Sequence, residues 1–260
     1  MNILDQIVLT KRGELLELKK FKNLERIKRE VFEMQRKYSP RDFAGTFADH
    51  DSIKLIAEIK LASPSHGRLT ELSHIDLAKI YADSPADAIS VLTEKKYFHG
   101  KLEFVKEVKK IASQPVLRKD FILDEYQIYE TFLAEADAFL LIASVLTKKQ
   151  LVDFINIGKS LKLSALVEVH NEHELTKAVE CKADIIGINN RDLMTMKIDL
   201  ATTERLARLI PNNIIIISES GINSGADVRH LKSTGVRGIL VGSSIVKESD
   251  PLKKIMELKL

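Results

Sequence analysis

The sequence predicts an α/β fold of one kind, a closed (β/α)8 TIM barrel with an N-terminal helical extension. Three observations predict it. From residue 53 onward, eight short apolar runs alternate with longer charged stretches of helical periodicity. The runs are continuously apolar rather than alternating, as strands buried on both faces of a parallel sheet must be. The length, 260 residues, also matches the roughly 250 that eight strand–helix units occupy as one domain. A doubly wound open sheet is the structural alternative, but no Gly-x-Gly-x-x-Gly follows the first run.

The elements follow in order. In residues 1–50, basic pairs such as Lys11-Arg12, Lys19-Lys20 and Lys28-Arg29 interleave with Glu14, Glu17, Glu25 and Glu30. Leu15, Leu18, Leu24, Ile27 and Val31 recur among them at helical spacing. A basic amphipathic helix can lie on a membrane or on nucleic acid. The interleaved acids argue instead for a helical extension packed on the barrel, ended by Ser39-Pro40 because proline resists continuing a helix. Residues 51–260 form the barrel, so that 1–260 is a single domain. Its strands are expected at Leu55–Lys60, Ala88–Leu92, Pro115–Lys119, Ala138–Ile142, Ala165–Val169, Ile185–Asn189, Ile214–Glu219 and Gly238–Gly242.

Composition narrows the function. A chain 45% hydrophobic and 30% charged is an ordinary globular protein. Its net charge of +3 is too mild to argue for nucleic acid, and it suits anionic metabolites. The longest uncharged apolar stretch, Ala138 to Val145, is far shorter than the ~20 residues of a membrane helix, and Met1 to Asp5 opens no signal peptide. Cys181 is the only cysteine, which rules out an intrachain disulfide and fits a reducing, cytoplasmic setting. A monomer is expected rather than an obligate oligomer.

The chemistry is expected where the runs end. Glu58 and Lys60 close the first, Lys119 the third, Glu168 the fifth, Asn189 and then Arg191 the sixth, and Glu219 the seventh. In a barrel these positions form one rim, and that rim carries the active site. Glu58 and Lys60 lie two apart, so both side chains leave the same face of their strand. One polar residue at a strand end is ordinary; a ring of opposed charges in a cleft is what shifts pKa values for proton transfer. Ser220-Gly221 and Gly242-Ser243 follow runs seven and eight, where barrels frequently bind phosphate through glycine backbone and serine hydroxyls. His170 and His173 have no partner at a metal-site spacing, so His170 reads as loop, His173 as solvated helix, and no metal is expected. Cys181 reads as a small buried thiol rather than a nucleophile.

These residues also carry a resemblance. The segment Ile56-Ala57-Glu58-Ile59-Lys60-Leu61-Ala62-Ser63-Pro64-Ser65 resembles the first-strand signature of the indole-3-glycerol phosphate synthases. The similarity continues through Arg118-Lys119-Asp120-Phe121, Leu166-Val167-Glu168-Val169-His170, Gly187-Ile188-Asn189-Asn190-Arg191, Ser218-Glu219-Ser220-Gly221 and Gly242-Ser243-Ser244. Leu61 departs from the pattern, since an arginine commonly follows the signature lysine; it should face away from Lys60. The resemblance implies ring closure of 1-(2-carboxyphenylamino)-1-deoxyribulose 5-phosphate to indole-3-glycerol phosphate, with loss of carbon dioxide and water and with no cofactor or metal. It implies Lys119 as the proton donor, which requires a lysine pKa moved toward neutrality. Lys60 then contacts substrate anions, Glu168 serves acid–base chemistry, and Glu58, Asn189 and Glu219 position hydroxyls and lysines. Arg191, Ser220, Gly221, Gly242 and Ser243 serve the phosphate, with Ser63 nearby. Phe98, Phe121 and Leu193 line the slot for the aromatic ring, and residues 1–50 cover the barrel mouth. The pathway's sugar isomerase is the runner-up, but it needs no paired lysines on strands one and three. A non-catalytic phosphate-binding barrel would not have kept the rim charges.

Overall fold

The computed structural model describes residues 2–49, 52–193 and 195–259. The outer limits of the expected domain and the junction expected at 50/51 therefore lie at residues outside those described. Eight parallel strands close into a barrel: β1 (Lys54–Ile59), β2 (Ala88–Leu92), β3 (Val116–Lys119), β4 (Ala138–Ile142), β5 (Ser164–Val169), β6 (Ile185–Asn189), β7 (Ile215–Glu219) and β8 (Gly238–Val241). Each lies within one residue, at either end, of the run that predicted it. The third starts one residue late because Pro115 has no N–H for the ladder; its carbonyl still accepts from Ile89 N at 2.9 Å. The order around the ring is sequential, and β1 pairs with both β2 and β8. A short antiparallel hairpin, Ala62–Ser63 with Gly67–Arg68, follows β1.

The helices are α1 (Ile3–Phe21), α2 (Leu24–Met34), α3 (His74–Ala82), α4 (Glu103–Ile111), α5 (Glu125–Leu133), α6 (Lys148–Ser160), α7 (Glu172–Glu180), α8 (Ala201–Ala207), α9 (Gly225–Lys232), α10 (Ser243–Val246) and α11 (Pro251–Leu258). From α3 on they follow the strands in turn. Alternation divides each strand between two cores. Ile56, Leu117, Leu140, Leu166, Ile217 and Leu240 fill the barrel. Leu55, Ala57, Ile89, Val91 and their neighbours pack outward against the helices. The inward register also decides what reaches the mouth, since Glu58, Lys119, Glu168, Asn189 and Glu219 are each a step of two above an interior residue.

The N-terminal extension differs from expectation in two respects. Its helix does not run on to Ser39-Pro40. Lys22 is extended, and Asn23 begins a second helix by accepting from Arg26 N at 2.9 Å. An asparagine satisfying an orphan N–H in this way is a strong start signal. The extension also does not simply cover the mouth. α1 lies there, whereas Phe43 and Phe47 are fully buried in the barrel interior with Ile56, Ala88, Leu117 and Ala138, at the opposite end. Gly238 admits Phe47: a Cβ on it would stand 2.7 Å from the ring.

That foot is sealed by Asp137, which is completely buried. It accepts from Lys109 Nζ at 2.7 Å on both oxygens, from Arg41 N at 2.7 Å and from Val116 N at 2.7 Å. Arg41 Nη1 in turn donates to the carbonyls of Ala112 and Gln114, at 2.9 and 2.8 Å. Among the described residues no helix is long and apolar enough to cross a membrane.

Candidate active site

A cavity of about 230 Å3 opens at the carboxyl ends of the strands. Glu58, Lys60, Lys119, Glu168, Asn189 and Glu219 line it. So do Ser63, Arg191, Ser220, Gly221, Gly242, Ser243, Phe98, Phe121 and Leu193, and α1 adds Ile3, Leu4 and Ile7. Every residue to which the sequence analysis gives a catalytic, ring-binding or phosphate-binding part is thus brought to one space.

Lys119 is its centre. The ammonium donates to Glu168 Oε2 at 2.9 Å and to Glu219 Oε2 at 2.7 Å. Asn189 Nδ2 donates to the other oxygen of Glu168 at 3.1 Å, while Asn189 Oδ1 accepts from Arg191 N at 3.0 Å. Lys60 stands 3.8 Å from Glu58 Oε2, and its ammonium lies 5.4 Å from the centre of the Phe98 ring. Phe121 tilts against Phe98 with ring centres 6.3 Å apart, which makes an aromatic wall beside the cation. Two glycines make room for carboxylates. A Cβ on Gly187 would stand 2.1 Å from Glu219 Oε1, and one on Gly242 2.4 Å from Glu58 Oε2. No larger residue fits at either position without displacing an acid.

The charges on this rim are unequal. Burial would lower the Lys119 pKa, but Glu168, Glu219 and Glu58 outweigh it and hold the lysine well above its ordinary range. The expected drift of Lys119 toward neutrality is therefore not found in the free site, because two carboxylates bond the ammonium directly. The lysine moved downward is Lys60, by burial first and then by Lys119 and Arg191, with Glu58 opposing. Burial disfavours the charge on Glu168, yet Lys119 and His170 hold it well below the carboxylate range. Burial, with repulsion from Glu168 and Glu58, pushes Glu219 up to about 7 against the pull of Lys119. Glu219 Oε1 is buried without a hydrogen bond.

The far end of the cavity is built of loops. Ser220 and Gly221 take successive left-handed conformations, φ 67° and 85°. For serine that backbone is unusual, whereas the glycine after it adopts it without strain. Ser244 Oγ donates to the Ile222 carbonyl at 2.9 Å and ties the loop after β8 to the loop after β7. On the outer side, Lys11 of α1 is buried, 3.1 Å from Asp120 Oδ1, which fastens the helix beside Lys119. Burial opposes the charge on Lys11, but Asp120 and Glu14 raise its pKa.

The sequence reading missed two things here. The Lys11–Asp120 pair joins residues with no shared pattern, so no local signal was available. His170 had a signal: it stands two residues beyond Glu168, as Lys60 does beyond Glu58. It lies in the bend after β5, with Nε2 3.3 Å from Glu168 Oε1. His173 falls within α7, and Cys181 is buried at its C-terminal cap. Among the described residues no His, Cys, Asp or Glu cluster has the makings of a metal site.

The model of the family described as indole-3-glycerol phosphate synthase matches residues 4–258. The chain belongs to the indole-3-glycerol phosphate synthase family. Relatives carrying that name include one from Thermoanaerobacter pseudethanolicus, 46% identical over 259 residues, covering 98% of this chain and 96% of the relative. Another, from Clostridium acetobutylicum, is 45% identical over 256 residues with the same coverage. Among solved structures, 3-hexulose-6-phosphate synthase from Salmonella typhimurium superposes with a TM-score of 0.65 at 17% identity, covering 79% of this chain and 96% of its own. That likeness concerns the barrel alone; the family is decided by the sequence matches.

Proposed function

We propose that the chain converts 1-(2-carboxyphenylamino)-1-deoxyribulose 5-phosphate to indole-3-glycerol phosphate, as a carbon–carbon carboxy-lyase of tryptophan biosynthesis. Family membership supplies the reaction, and the Lys119–Glu168–Glu219 cluster is the observation that supports it most in this chain. The conversion is redox-neutral: an aromatic carbon bonds to the ribulose carbonyl carbon, the ring carboxylate leaves as carbon dioxide, and a hydroxyl leaves as water. It balances with no cofactor or metal.

Attack on the carbonyl develops an alkoxide, a far stronger base than an amine. A lysine held as ammonium can therefore donate to it in step with bond formation, and its raised pKa keeps the proton in place until then. Lys119 is proposed as that acid. Lys60, over the Phe98 ring, suits the substrate carboxylate, with Phe98, Phe121 and Leu193 around the aromatic ring. Glu168 takes the acid–base work of dehydration, while Glu58, Asn189 and Glu219 orient hydroxyls and ammonium groups. The phosphate is assigned to Ser220, Gly221, Gly242 and Ser243 with Arg191, and Ser63 stands nearby with its buried hydroxyl free to bond. The reading extends to a monomer working in the cytoplasm on this small phosphorylated molecule, without nucleic acid or membrane.

Purified protein mixed with the carboxyphenylamino ribulose phosphate alone is expected to generate indole absorbance and fluorescence. The chain has no tryptophan, so the product signal stands clear of the protein's own. Absence of indole from well-folded protein would sink the assignment.

A further inference from the structure

Glu168 and Glu219 share Lys119, but they are not equivalent. Among the described residues Glu219 has no other cation at ion-pair distance, and its second oxygen is buried without a hydrogen bond. The second oxygen of Glu168 meets Asn189 and, at 3.3 Å, His170 Nε2. That contact lies at ion-pair distance but off the line of a hydrogen bond, so Nε2 is buried without one. The other side of the imidazole is fixed: Nδ1 lies 2.9 Å from Glu174 Oε2, and the same oxygen accepts from His170 N at 2.9 Å. Glu174 is itself anchored on α7, where its other oxygen accepts from Asn171 Nδ2 at 2.8 Å. Neither His170 nor Glu174 lines the cavity.

We infer that His170 is a positioning residue for the proposed reaction: clamped from behind by Glu174, its imidazole holds the Glu168 carboxylate at Lys119 without meeting the substrate. The charged groups around it are Glu168 on β5, Glu174 on α7 and, through Glu168, Lys119 on β3 and Glu219 on β7. Burial disfavours a charge on the ring, but Glu168 and Glu174 outweigh it and push the imidazole up to about 10, so it stands there as a cation. A cation on the far oxygen keeps Glu168 ionised and in place. Any proton shared by the two acids then falls to Glu219. An imidazole held by a carboxylate at one nitrogen presents the other in a fixed direction, as ligand histidines do in metal sites.

The inference rests on the proposed activity, and the test separates the two. His170→Ala, Glu174→Gln and the double variant are assayed as full-length protein with the carboxyphenylamino ribulose phosphate, alongside thermal melts. Displacing a reacting group by a fraction of an ångström is enough for about a ten-fold loss. His170→Ala is thus expected to lower kcat about ten-fold with KM within two-fold. Glu174→Gln is expected to lower kcat at least three-fold by itself and to add nothing in the His170→Ala background. A kcat within three-fold of the parent in folded His170→Ala overturns the inference, and so do losses that simply multiply in the double variant. If His170→Ala does not fold, Glu174→Gln decides alone: a three-fold fall at constant KM supports the inference, and a smaller one overturns it. No indole from the parent protein would instead defeat the proposed reaction itself.

Discussion

Lys119, half-buried at the mouth of the barrel, and Lys109, buried at its foot, are both ammonium groups bonded to carboxylate at 2.7 Å, yet their surroundings are opposite in kind. At the foot, one lysine meets one aspartate, and two backbone N–H groups complete the acceptor capacity of Asp137. At the mouth, one lysine is divided between two acids, and a buried glutamate oxygen is left without a hydrogen bond. The electrostatics follow the difference. Burial prevails at Lys109 and lowers its pKa despite Asp137, whereas the surplus of carboxylate prevails at Lys119 and raises it. A saturated cluster holds structure together; an undersaturated one keeps bonding capacity free for a ligand and is less stable for it.

Exchanging the two lysines for methionine tests that contrast most severely. Lys119→Met is expected to lower indole formation by roughly 10²–10⁴-fold, the usual worth of a positioned acid, with the fold intact by circular dichroism. Lys109→Met is expected to do the reverse. Turnover of the folded fraction stays within a few-fold, while denaturant melts show a loss of about 3–5 kcal/mol, because Asp137 is left as an uncompensated buried charge. Equal stability losses in the two variants would erase the distinction.

Glu219→Gln sharpens it through pH. The folded pKa of about 7 lies above the ordinary 4.5, so between those values the native state holds a proton that the unfolded chain has released. Stability from this group therefore falls as pH rises from about 4.5 to 7 and is flat above. Glutamine removes that loss, so Glu219→Gln is expected to lose turnover yet melt higher than the parent at pH 8, by on the order of 1–3 kcal/mol. The gain should shrink toward pH 5; a gain unchanged across that range would contradict the assigned ionisation. The smallest effect is expected at Leu61→Arg, where the side chain packs outward against the helical layer. An arginine can lay its stem there and extend its head to water, so kcat should change by less than about two-fold.

The rim was legible because it obeys two periodicities at once. Continuous apolar runs mark the strands, and a step of two marks which end residues turn inward, so the pairing of Glu58 with Lys60 is legible in the sequence alone. Gly187 and Gly242 needed the third dimension, since what they spare room for sits on a neighbouring strand. The raised pKa of Lys119 is not legible in the sequence for the same reason. Its pKa depends on Glu168 and Glu219, which lie far along the chain and only meet when the sheet closes. Residues 35–47 carry no period at all, so nothing local announced that Phe43 and Phe47 enter the barrel. The break at Asn23, by contrast, has a local signal in its capping side chain, which the apolar spacing running across it from Leu15 to Val31 obscures.

The seat of Phe47 bears on the order of assembly. Its ring rests against Gly238, at the start of β8, and that strand pairs with β1 from Lys54 to Ala57 to close the sheet. A residue made early in synthesis thus finds its place only after almost two hundred further residues have been added. Contacts of such long span are formed late and slowly. Until then the side of the Phe47 ring that meets Gly238 and the β8-facing edge of β1 have no partner. The foot of the barrel is consequently where the nascent chain stays open longest, and where a chaperone or a misplaced strand would first find a hold.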